Sequence, residues 1–458
     1  MLYFSILMLQ DEEMKELNPR QVTINDPFWT PRLQVNATGS IFHHWQMLEA
    51  SGCIDNFRIA AGEKEGFRVG WFFADSDAFK WLDAAARIER EHHDADLCRI
   101  MDDFIDLLDR AQLPDGYLFT YNQIHFPEQR WVNLQVEHEL YCHGHLIEAG
   151  VSHFQTTGQE KLLKIACKAA DLIVRDFEHS GPRGTPGHEE IEIALLRLYA
   201  VTGHEPYRRA ARRFLEMRGR TPFFGISLAR QFASNAGREK AIAGRLVEYQ
   251  QTHPELTAAK IPAANEAKRP SFSLLRFYLS GLSGKYFQQH RPIRGQTVPV
   301  GHSVRFGYLK TAEAMLLRSG ADEKLLQTMH KAWERMVTRR MDVTGGLGAL
   351  PDSEGFGRDY ELDPEVAYNE TCAAIASLYW NWQLACLTAE ARYSDLFEWQ
   401  LYNAVSVGVG LEGRSYLYNN PNLCRGGIRR QPWYSIPCCP SNIARTFADL
   451  GRYVFTRD

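Results

Sequence analysis

At 458 residues the chain exceeds the ~250–300 residues at which one hydrophobic core stops growing, which excludes a single simple globule and leaves a large barrel or two domains. Hydrophobic residues at 45% and charged residues at 24% exclude a disordered or fibrous chain. A net charge of −4, with Lys and Arg mixed among Asp and Glu, leaves no basic stripe for nucleic acid.

The opening residues, MLYFSILMLQDEE, are apolar but short, with no basic leader and no cleavage site, so no signal peptide is expected. No run reaches the ~18 apolar residues of a spanning helix. Nine cysteines, an odd number in a large chain, fit a reducing compartment and thiols that are free or metal-bound. A soluble, cytoplasmic protein without a membrane partner is the expectation.

Residues 1–40 read as an N-terminal arm, in which the β-branched and proline-bearing QVTINDPFWTPRL (Gln21–Leu33) reads as a strand or extended arm ahead of the helices. Residues 41–458 read as one helical domain. From Asp75 onward apolar residues recur at helical spacing, as in DSDAFKWLDAAARIERE, DLCRIMDDFIDLLDRA and ELYCHGHLIEAGVSHFQ. One punctuation recurs: a helix ends in Thr157-Gly158, Thr202-Gly203, Ser319-Gly320 or Thr388-Ala389, and a more charged helix follows. The first helix of each pair is rich in apolar and small residues, and the second carries its charges on one face. First members fall near Asp75, Glu139, Glu189, Val304, Glu370 and Asn442. Six helical hairpins closing on themselves predict a mainly α fold, an α/α toroid or (α/α)6 barrel. The stretch Thr221–Arg294, rich in Pro, Ala and Gln, breaks the rhythm as a further pair or a long insertion, and the final YVFTRD reads as a strand.

The chemistry-bearing residues concentrate in the last third. Glu370 and Cys372 in YNETCAA lie within one turn, and the vicinal Cys438-Cys439 precedes Pro440. Three thiols and a carboxylate can complete a tetrahedral zinc shell. Free cysteines are also ordinary small buried hydrophobes, so spacing alone leaves both readings open. Glu354 sits in the glycine-rich TGGLGALPDSEGFGRDYE, a loop that lets backbone approach a ligand, although most loop acids are simply solvated. His138, His188 and His302 each stand beside the start of an inner helix, so a toroid would gather them at one mouth. HELYCH fails as a metalloprotease motif, because its second histidine falls one residue too late to share a helix face with the first. No dinucleotide fingerprint, Walker loop or nucleophile elbow is present.

The motifs DSDAFKWL, DGYLFTYNQ, HELYCHGHLIEAG, GHSVRFGYL, TGGLGALPDSEGFGRDYEL, YNETCA, LYNNPN and CCPSNIAR occur in this order, and from about Val22 to the end the sequence resembles glycoside hydrolase family 127, the β-L-arabinofuranosidase group. The resemblance implies zinc held by Glu370, Cys372, Cys438 and Cys439, with Cys438 as nucleophile and Glu354 as general acid/base. It further implies that His138, His188, His302 and Tyr418 contact sugar hydroxyls. The implied activity is a retaining exo-glycosidase acting on a glycoside or oligosaccharide, with homodimerisation left open. The β-sandwich domains that follow the barrel in this family are expected to be absent. That makes an inactive or carbohydrate-binding zinc toroid the alternative, and a metal-free lyase or epimerase a third reading.

Overall fold

Sequence composition sorts the helices into two rings, because those made of small and apolar residues are buried along nearly their whole length and the charged ones along one face. The computed structural model describes residues 14–17, 21–253 and 273–457. Three helices lead in: α1 (Trp29–Val35), α2 (Ile41–Ala50) and α3 (Cys53–Ala60). Inner α4 (Asp75–Glu89) is followed by outer α5 (Ala95–Ala111) and, after the short α6 (Thr120–His125), by inner α7 (Glu139–Thr157) and outer α8 (Lys161–Phe177). Inner α9 (Ile191–Thr202) pairs with outer α10 (Glu205–Met217). Two helices, α11 (Phe224–Thr252) and α12 (Ser273–Leu282), occupy the irregular stretch; residues 254–272 lie outside the described residues. The ring resumes with α13 (Ser303–Leu317) and α14 (Glu323–Arg339), continues with α15 (Thr371–Thr388) and α16 (Ala391–Gln400), and ends with inner α17 (Cys438–Ala448).

The toroid and all six inner starts agree with the sequence reading to within about four residues. α7 and α9 end on left-handed Gly158 (φ 77°) and Gly203 (φ 68°), and α15 on Ala389 (φ 55°). At α13 the punctuation differs: the helix stops at Leu317 with a right-handed cap at Arg318, and Ser319-Gly320 forms the turn beyond it.

Gln21–Leu33 forms no strand: Val22–Asp26 run without regular structure, and the segment is helical from Trp29. The Asp26 carboxylate accepts the backbone N–H groups of Phe28 (2.8 Å) and Trp29 (2.7 Å), starting α1. Pro31 then falls in the first turn, where a missing N–H costs nothing. Through one π-helical turn (Asn36–Ser40) α1 runs into α2, and this N-terminal pair packs where the sixth outer helix belongs. Asn36 donates to the Ala444 carbonyl (3.0 Å), Trp81 donates to that of Ile41 (2.9 Å), and the Trp29 and Phe447 rings meet edge to face.

Closure of the ring between α4 and α17 is ionic. Arg87 pairs with Asp83 (2.8 Å) and Asp449 (3.0 Å), and Arg445 reaches Asp83 (3.4 Å), all buried. Among the described residues the sheet is a single antiparallel pair, Lys15–Glu16 against Thr456–Arg457, with no β-sandwich. The strand expected at the C-terminus is therefore present, and the arm's strand is Lys15–Glu16. No described helix is long and apolar enough to cross a membrane.

Candidate active site

Inner helices begin around a common cavity of about 210 Å³, which takes its walls from α4, α7, α13, α15 and α17 and from the loops that precede them. Glu370 caps α15 and Cys372 sits in its first turn, while Cys438 and Cys439 open α17 behind Pro437. The two helix starts therefore face each other with their donors converging. Cys372 Sγ lies 3.3 Å from Cys439 Sγ, and Cys438 Sγ is 3.9 Å from Cys439 Sγ and 3.6 Å from Glu370 Oε1. All four donor atoms lie within 4.8 Å of one another. Asn442 Nδ2 donates to Cys372 Sγ at 3.0 Å.

This donor set fits a thiophilic divalent ion. Glu370 Oε2 is buried without a hydrogen-bond partner, which is costly unless something else occupies that position. Burial, with Cys438 and the Glu354 carboxylate close by, pushes the Glu370 carboxyl well above the usual range. Burial would raise Cys372 as well, but hydrogen bonds from Cys438, Cys439 and Asn442 outweigh it and bring that thiol down to about 6. The bond Cys438 gives to Cys372 holds its own proton in place and raises its pKa. Without a cation the cluster thus favours the thiolate at Cys372 and the thiol at Cys438 and Cys439. Zinc takes three thiolates and a carboxylate in a tetrahedral shell, so these residues can hold it.

Across the cavity Glu354 is fixed from three directions. Its backbone is left-handed (φ 47°), an uncommon conformation for a non-glycine residue. Its carbonyl accepts Ser303 N–H (3.0 Å) and Oγ–H (2.8 Å). Its carboxylate meets His302 Nε2 at 2.8 Å and the Tyr368 hydroxyl at 3.1 Å. Because His302 Nδ1 accepts the Val304 N–H (3.2 Å), the ring proton is assigned to Nε2, which donates to Glu354. Burial pushes the Glu354 carboxyl up, but these two donors pull it below the ordinary carboxylate range.

His138 Nδ1 is 3.1 Å from the Val136 carbonyl and His188 Nδ1 is 2.9 Å from that of Glu189, so both donate to backbone and leave Nε2 as the free acceptor. Burial depresses both imidazoles well below the normal range and lowers His302 too, keeping all three neutral. Their rings run in sequence around the wall, 5.3 Å from His138 to His188 and 5.8 Å from His188 to His302.

All the residues singled out by sequence therefore converge. His138, His188, His302 and Tyr418 line the cavity together with Glu354, Glu370, Cys372 and Cys438, and Cys439 is fully buried behind them. Lys80, Arg305, Tyr368 and Asn442 were missed. Each lies within or beside a motif already noted (DSDAFKWL, GHSVR, YNETC, CCPSN), so proximity to a motif was the available signal. A larger groove of about 620 Å³ beside α1 contains none of these groups.

The family model described as β-L-arabinofuranosidase, GH127 catalytic domain, matches residues 21–452. A non-reducing end β-L-arabinofuranosidase of Bifidobacterium longum subsp. longum is 33% identical over 95% of this chain and 66% of its own length. A GH127 β-L-arabinofuranosidase from Geobacillus stearothermophilus T6 superimposes with a TM-score of 0.81 at 36% identity, covering 95% of this chain and 66% of that one. A GH127 β-arabinofuranosidase gives a TM-score of 0.80 at 30% identity, covering 97% of this chain and 63% of that one. The chain thus spans just under two thirds of the length of these relatives. With the family model matched across the whole barrel, the chain belongs to the GH127 catalytic-domain family.

Proposed function

We propose that this protein is a retaining exo-glycosidase that removes a terminal β-L-arabinofuranosyl unit, with Cys438 as nucleophile and Glu354 as general acid/base. The observation that carries this reading is the placement of Glu354, held by His302 and Tyr368, on the rim of the same small cavity into which Cys438 opens. The cavity is smaller than the ~300–1,000 Å³ of pockets for drug-sized ligands, so it suits one terminal sugar ring. The relatives named above act on β-L-arabinofuranosides by description, which supports the choice of sugar.

Glu370, Cys372, Cys438 and Cys439 would hold zinc, which supplies the charge that keeps a thiolate at neutral pH. Cys438 Sγ attacks the anomeric carbon while Glu354, in its protonated form, gives its proton to the leaving oxygen. A glycosyl-cysteine forms. Glu354, now ionised, takes a proton from the incoming water, which displaces the sulfur and releases the sugar with net retention. The free Nε2 atoms of His138 and His188 accept from sugar hydroxyls, and Tyr418 contacts the ring from the sulfur side. A cytoplasmic site of action fits nine free cysteines.

The test is turnover of a chromogenic β-L-arabinofuranoside with zinc measured in parallel, for wild type, Cys438→Ala and Glu354→Gln. Turnover with bound zinc, lost in both variants, is the expected result. Zinc without turnover in wild type would point instead to a carbohydrate-binding toroid, and near-normal turnover of Cys438→Ala would remove the nucleophile assignment.

A further inference from the structure

Two permanent cations line the cavity. Arg305 belongs to the histidine side, where it donates to the Gly187 carbonyl (2.6 Å) and lies over the Tyr286 ring (4.8 Å). Lys80, one turn into inner α4, lines the same small cavity as Cys372 and Cys438 and is 1% exposed. Its ammonium has three donors to satisfy. Its described partners are Ser76 Oγ at 3.1 Å and Asp77 Oδ1 at 3.4 Å, with the Tyr141 ring 5.1 Å away. Asp77 is its ion-pair partner, with a carboxyl that burial pushes up to about 7. Lys80 nevertheless stays charged: burial works against it, and Asp77, Cys438, Tyr308 and Cys372 support it.

Two partners leave one of its three N–H donors over, and charge arithmetic on the four-donor cluster supplies a further partner. One carboxylate and three thiolates carry four negative charges, and a divalent ion leaves two uncompensated among largely buried donors. Buried charges persist when they are paired. We propose that Lys80 is the counter-cation of the Glu370–Cys372–Cys438–Cys439 cluster, a positioning residue whose fixed charge lets that cluster take a divalent metal with all its thiols ionised. The proposal rests on the metal reading of the cluster given above. It is distinct from any contact Lys80 makes with substrate, because it acts on metal affinity in the absence of sugar.

The experiment uses the full chain and zinc alone, with competition against a chelator for affinity and cobalt(II) substitution to count thiolate charge-transfer bands. The variants are Lys80→Met, Lys80→Arg and Asp77→Asn, with circular dichroism and Tm as fold controls. Lys80→Met is expected to weaken zinc binding by roughly tenfold or more, the order expected for removing one buried charge next to another. Lys80→Arg should stay near wild type, and Asp77→Asn should bind zinc at least as tightly as wild type. Asp77→Asn retains Lys80 and serves if Lys80→Met fails to fold: a tenfold loss of affinity in it would overturn the proposal. Wild-type affinity in Lys80→Met, or a loss in Lys80→Arg equal to that in Lys80→Met, would overturn it as well. Absence of stoichiometric zinc in wild type would overturn the metal reading and Lys80's role together, so the two failures are distinguishable.

Discussion

Replacing Tyr368 with Phe removes one hydroxyl from a buried position and leaves the ring packing in place. That hydroxyl donates to Glu354 Oε1 at 3.1 Å and stabilises the ionised carboxylate. A hydrogen bond to a charged group contributes ~1.5–3 kcal/mol, and about 1.4 kcal/mol moves a pKa by one pH unit. Losing it favours the protonated form, so Glu354 should hold its own proton to a pH about 1 to 2 units higher. In the proposed mechanism Glu354 must be protonated to act on the leaving oxygen. The alkaline limb of kcat/KM on a chromogenic β-L-arabinofuranoside should therefore move upward by that amount, with little change in Tm. An alkaline limb that stays within about 0.3 pH units of wild type, in a variant that still turns over, would refute the assignment of that limb to Glu354.

Cys372→Ser and Cys439→Ser should each lower bound zinc below one equivalent. Chelation of wild type should lower Tm, because a ligand at a hundredfold its Kd contributes about 2.7 kcal/mol of stability; an unchanged melting curve after complete removal would argue against a folded-state metal. Gly187→Ala should destabilise by ~1–3 kcal/mol and raise KM. Its Cβ would stand 2.1 Å from the Gln135 carbonyl oxygen, next to His188, and urea unfolding with steady-state kinetics would show neither effect if the two chain segments can part. Glu139 is buried, accepts from Asn122 (3.1 Å) and the Trp131 N–H (2.8 Å), and is pushed up to about 7 by burial. A carboxyl raised on folding favours the native state below its unfolded pKa and loses that advantage as pH rises through the folded value. Stability should thus fall between about pH 4.5 and 7, by roughly 3 kcal/mol from this group, and Glu139→Gln should flatten the slope in denaturant titrations.

The inner helices were legible because their starts and ends are written locally. Small apolar residues fix the buried faces, and Gly158 and Gly203 mark the exits. The N-terminal segment was misread because prolines and β-branched residues carry the same local signal in an extended chain and in the first turn of a helix. What decided it was the Asp26 cap and a docking surface supplied by α17, more than 400 residues away in sequence. In the site, the adjacency of Glu370 and Cys372 on one turn is a local fact, and so is the Cys438-Cys439 pair. The partnership of His302 with Glu354, 52 positions apart, and of Lys80 with the cavity that Cys372 and Cys438 line exists only once the ring is formed. No periodicity reports such contacts.

The closure between α4 and α17 also sets an order of assembly. An open helical solenoid can fold repeat by repeat as it is synthesised, but here the last inner helix must dock on the first before the ring exists. The four metal donors lie beside that seam, Glu370 and Cys372 at the start of α15 and Cys438 and Cys439 at the start of α17. A nascent chain lacks the last two donors until residues near 440 are made, and the α4 wall of the cavity they face joins only when residues near 440 meet residues near 80, a contact of very long sequence separation. The cavity that the thiols face is thus completed by the same event that closes the barrel.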